Sequence, residues 1–191
     1  MSPIERIVSR SRRRGASLVE VILFIVVVGI AAGGILMVFA NTTRASADPL
    51  IRKQALAIAE SLLEEIRLMP FTFCDPDDAR VATATGAFVG PAGCAATVEA
   101  LGTEAGETRY AALTPFDNVN DYNDFAMAGG ILDITGAPIA GLDAYSAAVA
   151  VAPLAFGGIA AADALQVTVT VTGPGNIAVT LDGIRTRYAP N

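Results

Sequence analysis

The stretch Val21–Ala40, VILFIVVVGIAAGGILMVFA, runs for twenty residues without one charged or strongly polar side chain. As a helix rising 1.5 Å per residue it spans about 30 Å, the hydrocarbon thickness of a bilayer. Five of the thirteen basic residues, Arg6, Arg10, Arg12, Arg13 and Arg14, precede it, with Glu5 the one acid before position 15. By the positive-inside rule those arginines keep the N-terminus in the cytoplasm, so everything after Ala40 is expected across the membrane. The segment reads as an anchor or a signal, not as a core helix.

The body that follows has the opposite charge. The whole chain has thirteen Lys and Arg against nineteen Asp and Glu, a net −6, and without the leader the balance falls further, to near −10. An acidic body argues against nucleic acid as a partner, because phosphate binding needs a basic face. The chain has no His, which removes His-dependent triads, His metal sites and His acid–base chemistry. No G-x-S-x-G occurs either, and a carboxylate pair is the only catalytic device left. The expectation is a protein that is not an enzyme and carries no cofactor.

Three readings of the N-terminus compete. Ala45-Ser46-Ala47 followed by Asp48 has the form of a secretory cleavage site, and a cut there would release a soluble binding module. The apolar run, however, exceeds the roughly 7–15 residues such signals use. Ser11-Arg12-Arg13 begins like a twin-arginine signal, but Gly15 and Ala16 stand where that signal wants bulky apolar residues. The third reading turns on Gly15-Ala16-Ser17-Leu18-Val19-Glu20, a small-residue site with one acid five residues past it. A carboxylate at the edge of a membrane segment costs about 2.5–3.5 kcal/mol on insertion scales, so it calls for a partner.

Arg-Arg-Gly, then Ala-Ser-Leu-Val-Glu, then a long apolar helix resembles the class III signal of type IV pilins and pseudopilins. The resemblance implies that prepilin peptidase cuts between Gly15 and Ala16 and N-methylates Ala16. Glu20 then occupies the family's fifth position and pairs with the terminal ammonium of a neighbouring subunit during assembly. The usual family residue after the cut is Phe, so Ala16 is a departure. Residues 1–15 become a cytoplasmic leader, 16–40 a transmembrane and assembly helix, 41–69 its periplasmic amphipathic half, and 70–191 a β-rich globular domain. Gly29-Ile-Ala-Ala-Gly33 is a GxxxG, either a close-approach face or the ordinary glycine content of a membrane helix. Asn41-Thr42-Thr43 reads as a polar exit from the helix.

Past the membrane, Asp48-Pro49 has the chemistry of an N-cap with Pro at the first helical position. Leu50, Ile51, Ala55, Ile58, Leu62 and Ile66 recur near helical spacing, widened by Leu56, Ala59 and Leu63, while Arg52, Lys53, Glu60, Glu64, Glu65 and Arg67 form a solvated face. Ala16 to Met69 is thus expected as one long helix, broken or kinked at Pro49 and ended by Pro70. Cys74 and Cys94, the two cysteines of the chain, read as one disulfide in an oxidising compartment.

Asp75-Pro76-Asp77-Asp78 and Asp117–Asp124 are oxygen-rich, but Val119 breaks the EF-hand pattern and its Gly is missing. They read as solvated turns, with calcium the alternative. Ala147–Ala152 and Leu165–Thr172 read as strands, the second strictly alternating. Gly173-Pro-Gly-Asn176 makes a turn, and Ile177–Tyr188 returns with Ile177, Val179, Leu181 and Ile184 inward, shifted by a bulge near Gly183. The fold class expected is α+β, a long helix packed on a small antiparallel sheet.

Taken in order, Asp48-Pro49, Glu60–Glu65, Pro70–Asp78, Asp121-Tyr-Asn123, Val169–Gly175 and Arg185–Pro190 resemble MshD-type minor pilins of the mannose-sensitive haemagglutinin (MSHA) pilus system. The resemblance implies a type IV pilin-like fold and a structural subunit that sits in the inner membrane, then in an extracellular fibre. Its partners would be other pilin subunits, prepilin peptidase, the pilus platform protein and its ATPase. A type II secretion pseudopilin shares every physical feature used here, and residues 95–145 carry the least of the resemblance.

Overall fold

The structure, a computed structural model, describes residues 17–187, with no account of the side chains of residues 41–48. One helix, α1 (Leu18–Leu68, 51 residues), is followed by four strands, β1 (Ala126–Met127), β2 (Ser146–Pro153), β3 (Ala164–Gly173) and β4 (Ile177–Thr186). The class is α+β. The chain divides between Ser46 and Ala47 into two compact units.

In the first unit, Leu18–Ala40 is long and apolar enough to cross a membrane, and its side chains are all exposed. A helix apolar all round belongs in an apolar medium, since water would meet hydrocarbon on every face. A Cβ built at Gly29, Gly33 or Gly34 would meet nothing within 4 Å, so the glycine stripe opens a shallow face on this helix. The backbone remains helical through Asn41–Thr43 and through Pro49. The expected single long helix is present from Leu18 to Leu68, and it runs on through Asn41–Thr43 and Asp48, so the fresh N-cap expected at Asp48 is corrected.

In the second unit the rest of α1 lies on the sheet. Ala55, Ala59, Leu62, Leu63 and Ile66 are buried in one cluster with Val149, Val151, Val167, Val169 and Val171. Their spacing of four, three, one and three residues draws one stripe along a 3.6-residue helix, and the sheet supplies every second residue of β2 and β3. Each fully buried Val or Leu contributes about 1.5–3 kcal/mol. Leu50, expected on that stripe, is 61% exposed, because the buried face begins a turn later.

The sheet order is β1-β2-β3-β4, antiparallel throughout. In β3 the residues Leu165, Val167, Val169 and Val171 point inward, and Gln166, Thr168, Thr170 and Thr172 line the wetter face. β4 pairs with β3 without interruption from Gly173↔Ile177 to Ala164↔Thr186. The expected bulge near Gly183 is absent, and strict alternation puts Ile184 outward and Gly183 inward. Gly183 fits because Leu63 comes so close: an added Cβ would lie 3.0 Å from Leu63 Cδ1. Arg185, also inward, donates from Nη2 to the Met69 carbonyl at 3.1 Å, at the foot of α1. The β3–β4 turn carries positive φ at Gly175 and Asn176, where Gly and Asn are the tolerant residues.

Between α1 and β1 the chain is largely irregular. Cys74 and Cys94 are joined, with 5.4 Å between their Cα atoms, and seal a small apolar cluster with Ala84. Asp78 holds the same loop from within. Its carboxylate accepts from the backbone N–H groups of Arg80, Ala95, Ala96 and Thr97 at 2.7–3.0 Å. Those hydrogen bonds, led by Ala95 and Thr97, hold its pKa well below the usual carboxylate range. The expectation of a solvated turn fails at Asp78, which is a buried internal cap.

Candidate functional site

Glu20 is the acid in the first turn of α1 and its side chain is exposed. Gly15 and Ala16, expected at the processing site, lie outside the described residues. Glu20 precedes the Val21–Ala40 run and is the one charged side chain among the residues from 18 to 40.

A second charged constellation sits where α1 meets the loops. Arg109 donates from Nε to Glu65 Oε1 and from Nη2 to Glu65 Oε2, both at 2.7 Å. Its Nη1 donates to the Asp133 carbonyl at 3.0 Å, and Tyr122 donates its hydroxyl to Glu65 Oε1 at 2.8 Å. Burial pushes the Glu65 carboxyl up, but the hydrogen bonds from Arg109 and Tyr122 outweigh it and set its pKa below the ordinary value. Glu65 was expected on the solvated face of the helix. It is instead a half-buried junction tying α1 to loops some forty and sixty residues downstream, and no local pattern marks it. Beside it opens a cleft of about 450 Å³, walled by Ile58, Leu62, Met127, Ile131 and Ile139, with Glu65 and Arg109 at its polar edge.

The third constellation is acidic. Two loops converge at the 3-10 turn Val119–Tyr122: Gly102 N–H donates to the Asn120 carbonyl at 3.0 Å, and the Asn120 side-chain amide donates to the Ala100 carbonyl. This brings Glu99, Glu104 and Asp121 together, with one oxygen from each within 4.8 Å of the others. Asp75, Asp77 and Asp117 form a second such group on the more exposed side. Asp121 is fully buried, and its Oδ2 caps the turn by accepting from Asn118 N–H at 2.7 Å and Asp117 N–H at 2.9 Å. Burial, then the charges of Glu104 and Asp121, push Glu99 up to about 9. Burial and the Asp121 charge likewise raise Asp117 to about 7, and burial raises Asp121 as well.

The two Asp-rich segments singled out in the sequence thus contribute to one neighbourhood, Asp75 and Asp77 from one and Asp117 and Asp121 from the other. Glu99 and Glu104, the members that sequence reasoning missed, sit in the stretch of weakest pattern. Their one local signal was the acid spacing in Glu99-Ala-Leu-Gly-Thr-Glu104. Of the second oxygen-rich segment, Val119 is core, and Asn118 is a buried cap whose Nδ2 donates to Thr72 Oγ1 at 2.8 Å.

No family model, no curated protein and no solved structure matches the chain.

Proposed function

We propose that the chain is a minor pilin, a structural subunit of a type IV fibre of the MSHA kind, processed by prepilin peptidase after Gly15. The observation that carries the reading is the position of Glu20: a lone carboxylate in the first turn of a helix whose next twenty residues are uncharged and exposed. Packed among other apolar helices, that carboxylate is strongly disfavoured unless a cation meets it. A new N-terminus at Ala16, four residues before it, supplies an ammonium on a neighbouring subunit, so the pair sets the axial register between copies.

In this reading Leu18–Ala40 holds the subunit in the inner membrane before assembly and packs in the fibre afterwards. The sheet body stands in the periplasm and makes lateral or tip contacts. The platform protein, its ATPase and other pilins complete the machinery. A type II secretion pseudopilin would use the same helix and the same Glu20, and the neighbouring genes separate the two.

The intact mass and N-terminal peptide of the protein recovered from membranes test the proposal. A chain beginning at N-methylated Ala16 is expected. A chain beginning at Asp48 means a released soluble module, and the role given to Glu20 falls with it. Replacing Glu20 by Ala is expected to leave the processed subunit in the membrane and out of the fibre; incorporation at the wild-type level would sink the charge-pair mechanism.

A further inference from the structure

We propose that Glu99, Glu104 and Asp121 bind one divalent cation of the calcium type, and that this ion locks together the loops that carry them. The inference concerns the globular unit alone and does not depend on whether the chain enters a fibre.

The first support is geometric. Two oxygens on opposite sides of an ion, each about 2.4 Å away, stand about 4.8 Å apart, so ligands of one calcium lie within that distance of one another. One oxygen from each of Glu99, Glu104 and Asp121 meets this condition. The carriers are held in place without an ion, because Gly102 and Ala100 are bonded to Asn120 as described above.

The second support is independent of the clustering. Asp121 is 0% exposed, its Oδ2 is consumed by the turn, and its Oδ1 has no partner of hydrogen-bonding geometry. Both oxygens of Glu99 are buried and equally without such a partner. Asn120, 5% exposed, also has an unpartnered Oδ1 beside them. Buried carboxylate and amide oxygens are ordinarily satisfied, and three neighbouring residues that fail together point to one missing positive centre. The side-chain ion pairs of the described residues are Glu65–Arg109 and Asp163–Arg187, so Arg187, which lines the same cleft as Glu99, reaches that acid through its field and not by contact.

The donor chemistry selects the ion. The chain has no His and both its cysteines are spent in the disulfide, so the site offers oxygen alone, which suits hard cations. Calcium accepts six to eight oxygens in irregular geometry, whereas magnesium wants a near-ideal octahedron and keeps its waters. Buried carboxylates from two loops suit the first better. Asp75, Asp77 and Asp117, more exposed, form an acidic approach to the site and not a second one.

The rival explanation is a proton shared between Glu99 and Asp121. The test uses the full chain in detergent, stripped with EDTA and titrated calorimetrically with CaCl2 or MgCl2, with thermal unfolding followed at each endpoint. The expected result is one equivalent of Ca2+, bound more tightly than Mg2+, with the unfolding transition raised. Glu104→Gln, at a partly exposed position, is expected to weaken Ca2+ by about tenfold or more. In EDTA the same variant should unfold no lower than wild type, because one like charge has gone. Glu99→Gln repeats the test from the buried side, and the double variant Asp75→Asn/Asp77→Asn should still bind one equivalent. The proposal is overturned if Ca2+ gives neither heat nor a shifted transition, since the shared proton then suffices. It is overturned equally if Glu99→Gln and Glu104→Gln both bind as wild type does, or if the Asp75/Asp77 variant abolishes binding.

Discussion

Glu65 and Arg109 meet through two parallel hydrogen bonds of 2.7 Å, fork to fork, with only 5% of the arginine side chain and 21% of the glutamate side chain exposed. This pair fastens the helix to the loop that carries Arg109, and Tyr122 closes the triangle on the same oxygen. Removing one member leaves the other buried and uncompensated. Arg109→Leu and Glu65→Leu should each destabilise the fold by about 3 kcal/mol. The double variant should cost clearly less than the two losses added together. Urea denaturation of the four proteins in the cycle checks this, and simple additivity would show that the pair is not coupled.

Acid should unfold the body in a defined window. Glu65 and Asp78 both have folded pKa values below those of the free side chains, about 4. In that window the unfolded chain binds more protons than the folded one, so stability rises with pH. The contribution is fully present above about pH 4 and is lost as pH falls through the lower folded values. The acid-pocket carboxyls, shifted upward, stay protonated in the folded chain and begin to ionise in the unfolded one near pH 4, so they oppose the effect at the top of the window and leave it clear about one pH unit lower. Asp78→Asn is expected to flatten the stability profile below pH 4. A variant with the wild-type slope would deny Asp78 its part in it.

The Cys74–Cys94 bridge closes a loop with a sequence separation of 20, worth about 3 kcal/mol in the chain-entropy model. Reductant should lower the unfolding transition and open the segment between the two cysteines to protease before the sheet is cut. Protection of that segment under reducing conditions would mean that the Asp78 hydrogen bonds hold it alone.

Gly173 is inward at the end of β3, where a Cβ would lie 2.7 Å from Tyr145 Cε1 and 2.9 Å from Ile51 Cγ2. Gly173→Ala should cost about 1–3 kcal/mol by overpacking. Gly129→Ala is the control, with nothing within 4 Å of the added carbon, and should be near neutral. Equal thermal midpoints for the two variants would mean that Tyr145 and Ile51 yield freely.

The parts legible in the sequence are those governed by local period. The stripe from Ile51 to Ile66, the alternation of Leu165–Thr172, the Gly-Pro-Gly-Asn turn and the pairing of the two cysteines all follow from spacing or count, and the structure has them. Ile184 was misplaced because a glycine in a strand suggests a bulge, whereas Gly183 is there to admit Leu63. The role of Glu65 was invisible because Arg109 and Tyr122 reach it from far along the chain. Asp121 looked like a turn residue and is one, yet the same residue is also fully buried, and burial depends on neighbours that no local window contains. Glu99 and Glu104 were lost for the same reason.

The sheet has one dry face, and the helix stripe from Ala55 to Ile66 is what keeps it dry. Ile66 leaves the ribosome early, but Val167, Val169 and Val171 follow only after about a hundred further residues, half the length of the chain. During that interval an apolar stripe must stay uncovered, and contacts so distant in sequence form late and slowly. For this chain, then, translation order sets a waiting time: its first-made wall has no room to enclose until the last two strands arrive.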